Sequence, residues 1–319
     1  MTDLPHSPEP VAVPAQSRWR KFINSDIMWS WRRSPITIVA TIVAFLLIGM
    51  AVFAPWLAPY NPFNPATLNL MDGFTPPNTA SYSGRYFLLG TDNQGRDVLS
   101  TIMYGGRVSL FVGFSATMFA LILGVTLGLL AGYFGGVTDA ILMRVADVQL
   151  SFPAILIALL IFGVARGLIP PNQQEGAAVW VLILAIGLAN WATFARTVRG
   201  ATLVERQKDY VAAARIIGVP PILILFRHVL PNTLGPVLVI ATISLALAII
   251  EEATLSYLGV GVPPTQPSLG TLIRIGQQFL FSGEWWILLF PALTLILLAL
   301  SVNLLGDWLR DAFNPKLRS

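Results

Sequence analysis

The chain has 319 residues, of which 55% are hydrophobic and only 11% charged, with a formal net charge of +4 and a mean hydropathy of +0.69. Soluble domains average about 25% charged residues, so this composition excludes a water-soluble globular protein and a disordered chain and leaves a membrane-embedded one. Cysteine is absent, and the two histidines, His6 and His228, lie far apart. That excludes disulfide frameworks, thiolate zinc sites, cysteine nucleophiles and the paired-histidine metal pattern, so no metal site and no catalytic residue is expected. The basic residues are spread over many loops and make no nucleic-acid footprint.

In chain order, residues 1–17 carry Pro5, Pro8, Pro10 and Pro14 and read as disordered. In residues 18–34, Trp19, Phe22 and Ile23 share a helical face beside Arg18, Arg20, Lys21, Arg32 and Arg33, and Trp29 and Trp31 suit a headgroup layer. This is either a short interfacial helix or an ordinary basic anchor. Crossing a hydrocarbon core of about 30 Å takes about 20 mostly apolar residues. Ile36–Leu57, Val108–Tyr133, Ala177–Ala195, Leu234–Leu258 and Trp285–Leu305 satisfy this, and a weaker sixth span is placed at 147–166. The expected fold is all-α: a polytopic bundle of six transmembrane helices.

An even number of spans puts both termini on one side. Arg18, Arg20, Lys21, Arg32, Arg33, Arg144, Arg196, Arg199, Arg206, Lys208, Arg215, Arg227, Arg310, Lys316 and Arg318 fall on that side. Only Arg85, Arg96, Arg107, Arg166 and Arg274 fall on the other. The positive-inside rule therefore assigns both termini to the cytoplasm.

The outer segment, 58–107, is rich in proline and ends in Gly90-Thr91-Asp92-Asn93-Gln94-Gly95-Arg96-Asp97. Its two glycines permit tight turns, and its alternating acid and base side chains suit a structural clamp better than a ligand site. Its carboxylates are too few for a calcium loop. In the second span Gly124, Gly128 and Gly132 make a smooth stripe where another backbone can approach. Arg144 and Asp147 are spaced to pair along one helix. Glu251 and Glu252 are adjacent, so they point about 100° apart and face different partners. Each is either a structural group or part of a transport path.

The inner connection from Arg196 to Asn232 holds Lys208-Asp209-Tyr210-Val211-Ala212-Ala213-Ala214-Arg215-Ile216-Ile217-Gly218, then Val219-Pro220-Pro221, and Arg227-His228-Val229-Leu230-Pro231-Asn232. Alanines favour a short helix, Gly218 suits its C-cap, Pro220 or Pro221 can start a second helix, and Pro231 ends it. Such a unit, with a small alanine-rich outward surface, either enters a cleft on another protein or is a plain basic loop.

This loop resembles the EAA loop of binding-protein-dependent ABC importer permeases. Ala213-Ala214, three residues, Gly218, nine residues, then His228-Val229-Leu230-Pro231 keep the spacing, while Ala212 replaces the usual Glu and His228 the usual Ile. The 90–97 stretch, Tyr104-Gly105-x-Arg107-x-Ser109-Leu110, Ser151-Phe152-Pro153 and Glu252-Ala253-x-Leu255-Ser256-Tyr257-Leu258-Gly259 are similar to the peptide and nickel branch, and the whole is similar to its second, C-type permease.

The resemblance implies a type I ABC importer permease with a tail and interfacial helix at 1–34, a first helix and periplasmic segment at 35–106, a transmembrane core at 107–306 containing the coupling loop 196–232, and a tail at 307–319. It implies that Asp209, Tyr210, Ala213, Ala214, Gly218, Val219, Arg227, His228, Leu230 and Pro231 contact or shape an ATPase groove. It implies a second permease, two ATPase subunits that carry ATP and magnesium, a periplasmic or lipid-anchored solute-binding protein, and the bacterial inner membrane. The cargo would be short peptides, with nickel complexes, glutathione-like peptides or opines as alternatives.

The chain's own lysines agree on nucleotide: Lys21, Lys208 and Lys316 never follow a glycine, so no phosphate-cradling Gly-Lys loop exists. A proton-coupled carrier using Glu251 and Glu252 would need no ATPase, but six spans without a visible inverted repeat fit it poorly. An intramembrane hydrolase would need a serine near His228, and none is there in sequence.

Overall fold

A computed structural model describes residues 26–64 and 68–313. The readings on residues 1–25 and on the final tail from 314 lie outside the described residues. Helix α1, Asp26–Arg33, leads into α2, Pro35–Val52, and the short α3, Ala54–Leu57. Ser34 makes the join: its hydroxyl accepts from the Thr37 N–H and caps α2, whose first residue is proline. Residues 58–64 and 68–97 form a small cap containing a two-stranded antiparallel hairpin, β1 Thr79–Ala80 and β2 Tyr86–Phe87.

The remaining helices are α4, Val98–Phe134; α5, Gly136–Leu150; α6, Ala154–Leu168; α7, Gln174–Glu205; α8, Asp209–Ile216; α9, Pro221–Ile224; α10, Leu230–Tyr257; α11, Leu269–Phe279; and α12, Trp286–Phe313. Among the described residues five helical stretches are long and apolar enough to cross a membrane, and a sixth arises if α5 and α6 count as one span.

Several helices outrun their apolar windows. Helix α4 begins ten residues before the expected Val108, and α7 runs ten beyond Ala195, so Arg196 and Arg199 are helical and the inner connection starts only at Arg206. Hydropathy marks the part of a helix that suits lipid, whereas its hydrogen bonds continue into polar ends.

The sixth span needs a different correction. No straight helix covers 147–166: α5 and α6 meet at Ser151-Phe152-Pro153 with a bend of 97°. Pro153 has no N–H to continue the ladder and drives Phe152 out of helical conformation. Ser151 closes α5 by donating its N–H to the Asp147 carbonyl. The expected Arg144–Asp147 pair also gives way. Helix α5 lies along α7, and Asp147 pairs with Arg196 instead, while Asp139 takes a two-pronged bond from Arg199 at 2.6 and 2.7 Å.

The centre of the bundle is the α4–α7 pair, and the glycine stripe explains its closeness. A Cβ on Gly124 would meet the Phe194 Cβ and Trp191 carbonyl at 2.5 Å, and one on Gly132 the Thr202 Cβ at 2.7 Å. The stripe's partner is therefore within the same chain. Around this pair lie four apolar groupings among the described residues, one of which seats Ala146 of α5 against Trp191, Ala192 and Ala195 of α7. Phe162, Leu182, Ile186 and Leu255 join α6, α7 and α10. Leu129, Phe194, Val198, Val211, Ile224 and Val229 join α4 and α7 to the α8–α9 region. Ile249, Leu269, Trp286 and Leu298 join α10, α11 and α12. Helix α11 had no counterpart in the sequence reading, being short and half polar.

Candidate functional site

The 206–232 region is a helical elbow. Asp209 in the first turn of α8 and Arg215 in the last complement the helix dipole. The helix closes on Gly218, whose φ of +82° suits glycine. The Gly218 N–H bonds the Arg215 carbonyl at 3.1 Å and the Val219 N–H the Ala214 carbonyl at 3.0 Å, which together form a Schellman cap. Pro220 and Pro221 turn the chain into α9.

Pro231 does not end the second arm as expected. The chain is helical from Pro221 to Tyr257. A wider turn at Leu225–Val229, in which the Leu230 N–H reaches back to the Leu225 carbonyl, comes immediately before the proline. The extra residue in that turn absorbs the missing N–H and moves the carbonyl that the ring would strike.

One side of the elbow is buried and the other bare. Val211, Ala214, Ile224, Leu225 and Val229 pack on the ends of α4 and α7. Ala214, one of the loop's three alanines, thus belongs to the underside. Ala212 and Ala213 do face out, and beside them Ile216 is 86% and Ile217 77% exposed. Those two isoleucines went unnoticed in the sequence, where one more apolar pair is invisible without knowing which way it points.

A polar brace fixes the two arms to α7. The carboxylate of Glu205 accepts from Lys208 Nζ at 2.5 Å and Tyr210 Oη at 2.6 Å. Asn232 Nδ2 donates to Tyr210 Oη at 3.2 Å and to the His228 carbonyl at 2.8 Å. Burial, with the Glu205 carboxylate it donates to, pushes the Tyr210 hydroxyl above the usual tyrosine range. Arg215 lies 5.1 Å above the Tyr133 ring, and Arg206 donates to the Gly132 carbonyl at 2.9 Å. Asp209 and Arg227 are exposed, and Val219, His228 and Leu230 are half-buried. Glu205 was missed, although its i,i+3 spacing to Lys208 was a readable signal.

The 90–97 stretch sits at the other end of α4, about 54 Å away along a 37-residue helix. Asp92 accepts from Arg96 Nε at 2.7 Å and from the Arg96 and Gln94 N–H groups at 2.9 and 2.8 Å. Asp97 caps α4 through the Ser100 N–H at 2.9 Å. Burial pushes the Asp97 carboxyl above the usual carboxylate range against the bonds from Ser100. Gly90 and Gly95 have φ of +79° and +75°, and a Cβ on Gly90 would meet the Thr75 carbonyl at 2.6 Å. The Thr91 carbonyl accepts from Trp286 Nε1 at 3.0 Å, and its hydroxyl donates to the Asp72 carbonyl at 2.6 Å. The stretch thus ties the cap to α4 and α12.

The paired glutamates diverge. Glu251 is half-buried and accepts from Asn190 Nδ2 on α7 at 2.7 Å. Glu252 is wholly buried and accepts from Ser256 Oγ at 2.7 Å. The structure therefore brings the elbow residues together at one end, joins 90–97 to the cap at the other, and sends Glu251 and Glu252 to different neighbours. Among the described residues no group of three or more His, Cys, Asp or Glu could hold a metal ion.

The described residues thus form a bundle of long apolar helices with a braced polar elbow at one end. Its fold is similar to a chain of the MetNI methionine ABC transporter in inward-facing conformations, with a TM-score of 0.52 and 20% identity over 67% of this chain and 96% of that one. Residues 124–319 match the pattern of the binding-protein-dependent transport system inner membrane component. Residues 16–77 match the N-terminal transmembrane domain of oligopeptide transport permease C. A di/tripeptide transport system permease protein of Pseudomonas aeruginosa is 37% identical over 86% of each chain. A dipeptide transport system permease protein of Alkalihalophilus pseudofirmus is 36% identical over 100% of this chain and 97% of its own. The chain belongs to the binding-protein-dependent transport system inner membrane components, the permease subunits of ABC transporters.

Proposed function

We propose that this chain forms part of the path of an ATP-driven importer of short peptides, set in the bacterial inner membrane with both termini cytoplasmic. Separate ATPase subunits would work it through the elbow. The observation that carries this reading is the elbow's bare tip, where Ile216 and Ile217 stand exposed, on an elbow that also carries the exposed Lys208, Arg215 and Arg227. An apolar pair at a polar end of the bundle suits a cleft on another protein, and burying each would favour docking by roughly 1.5–3 kcal/mol. The basic residues there suit the cytoplasmic side. With no Gly-Lys loop in the chain, ATP and magnesium would sit on those subunits. A second permease alongside and a solute-binding protein at the opposite end would complete the assembly. The named cargo of the relatives supports short peptides.

The geometry supports a mechanism. Closing of the ATPase pair would push the tip. The Glu205–Tyr210–Asn232 brace makes the tip move with α7 and α10 together. Because the chain is helical from Pro221 to Tyr257, the push would reach the far end, where Glu252 accepts from Ser256. This would shift the bundle between inward-open and outward-open states.

The test is the pair Ile216→Asp with Ile217→Asp, co-produced with the ATPase subunits. Loss of ATPase co-purification and at least about a tenfold fall in uptake, with normal membrane insertion, is expected from losing about 1.4 kcal/mol or more of docking energy. Intact co-purification and uptake would refute the elbow's role.

A further inference from the structure

At the end of the bundle away from the elbow, a recess of about 320 Å³ opens between the last turn of α6, the start of α7 and the loop after α10. Its floor is apolar and buried, made by Phe162, Ala178, Val181 and Val262. Its rim carries three exposed charges, Arg166, Glu175 and Arg274. The ion pairs among the described residues involve other side chains, so these three face the recess without carboxylate or cationic partners.

Two of the three are held in place. Gln174 accepts from Arg166 Nε at 3.1 Å and donates to the Arg166 and Ile169 carbonyls at 3.2 and 3.1 Å, which fixes that guanidinium at the mouth. Arg274 lies against Gly259, where a Cβ would stand 2.7 Å from its Cζ, and the φ of +82° there suits only glycine well. Gly259 therefore closes α10 and also leaves the slot in which the guanidinium rests. Pro171, Pro263 and Pro264 line the same rim and limit its backbone freedom.

Two positioned guanidinium groups and an exposed carboxylate, all without ion-pair partners, above an apolar floor call for a small ligand that carries both signs itself. We propose that this recess is a receiving site for the free short peptide. Arg274 and Arg166 take the α-carboxylate, Glu175 takes the α-ammonium, and one side chain rests on Phe162 and Val262. Guanidinium and carboxylate planes match in two-pronged fashion, and the volume falls at the low end of small-molecule sites, which suits a dipeptide. Contacts made at an exposed rim are weak, so the site holds cargo loosely enough to pass it on. The site rests on the peptide-import reading, and it adds a recognition step on the permease itself.

The experiment uses the full transporter, with both permeases, the ATPases and the binding protein, reconstituted in vesicles. Initial uptake of dialanine and of its C-terminal amide is compared for wild type and Arg274→Gln. Dialanine uptake is expected to fall about three- to fivefold, through KM rather than kcat, as one exposed ionic contact worth up to about 1 kcal/mol is lost. Uptake of the amide, which lacks the carboxylate, is expected to fall less than about twofold. Glu175→Gln is expected to show the mirror pattern with N-acetyl-dialanine. Equal losses for free and blocked peptides, or none, would overturn the site. Equilibrium dialysis of radiolabelled dialanine against the purified complex without the binding protein gives a second reading: binding lost in both variants supports the site, and binding retained refutes it. Wild-type vesicles that import no dipeptide would instead overturn the peptide reading, and the site with it.

Discussion

Gly128 sits where two helices touch through their backbones. A Cβ there would meet the Ala195 carbonyl and come within 2.9 Å of Val198 Cβ. Gly128→Leu is expected to cost about 1–3 kcal/mol through overpacking, read as a lower thermal midpoint of the purified chain in detergent. Gly163→Leu, on α6 with nothing within 4 Å of its Cβ, is expected to leave the midpoint unchanged. The fourfold spacing of Gly124, Gly128 and Gly132 made this contact legible in the sequence. The partner was not legible, because the spacing says which face is smooth and not what lies against it. Glu251 and Glu252 show the same division. Adjacency on a helix predicted divergent faces, and Ser256 is the i,i+4 neighbour of Glu252, but only the folded chain sets Asn190 of α7 before Glu251.

At the scale of elements, the prolines act according to what surrounds them. Pro153 breaks α5 from α6, whereas Pro231, Pro236 and Pro291 lie within helices. A widened turn ahead of Pro231 keeps the ladder running, and nothing local to its sequence announces that turn. Gly218 was legible because an alanine helix followed by glycine and two prolines has one economical reading. Gly218→Val would force a β-branched residue to φ of +82°, at a cost of about 1–2 kcal/mol of local strain. ATP-driven uptake is expected to fall several-fold by the same arithmetic, while Gly218→Asn, which tolerates the left-handed conformation, keeps most of it. Equal uptake by all three chains would show that the cap geometry does not matter for coupling.

For the whole molecule, the absence of cysteine permits a clean test of orientation. Gln207→Cys lies at the elbow end, and Tyr82→Cys lies in the cap; both positions are exposed. A membrane-impermeant maleimide is expected to label the first only in inside-out vesicles and the second only in right-side-out ones. The reverse pattern would invert the topology and remove the elbow from reach of any cytoplasmic ATPase. Composition, the apolar windows and the spacing of glycines and prolines determined the all-helical membrane bundle, the approximate spans and the helix–turn–helix between the fourth and fifth. These follow from solvent transfer and backbone sterics, which act within a few residues. Tertiary structure alone decided the pairing of Asp147 with Arg196, the burial of Ala214 beside the exposed Ile216 and Ile217, and the gathering of Arg166, Glu175 and Arg274 around one recess. Each depends on which surfaces meet across long separations in sequence, and no local pattern of residues encodes that.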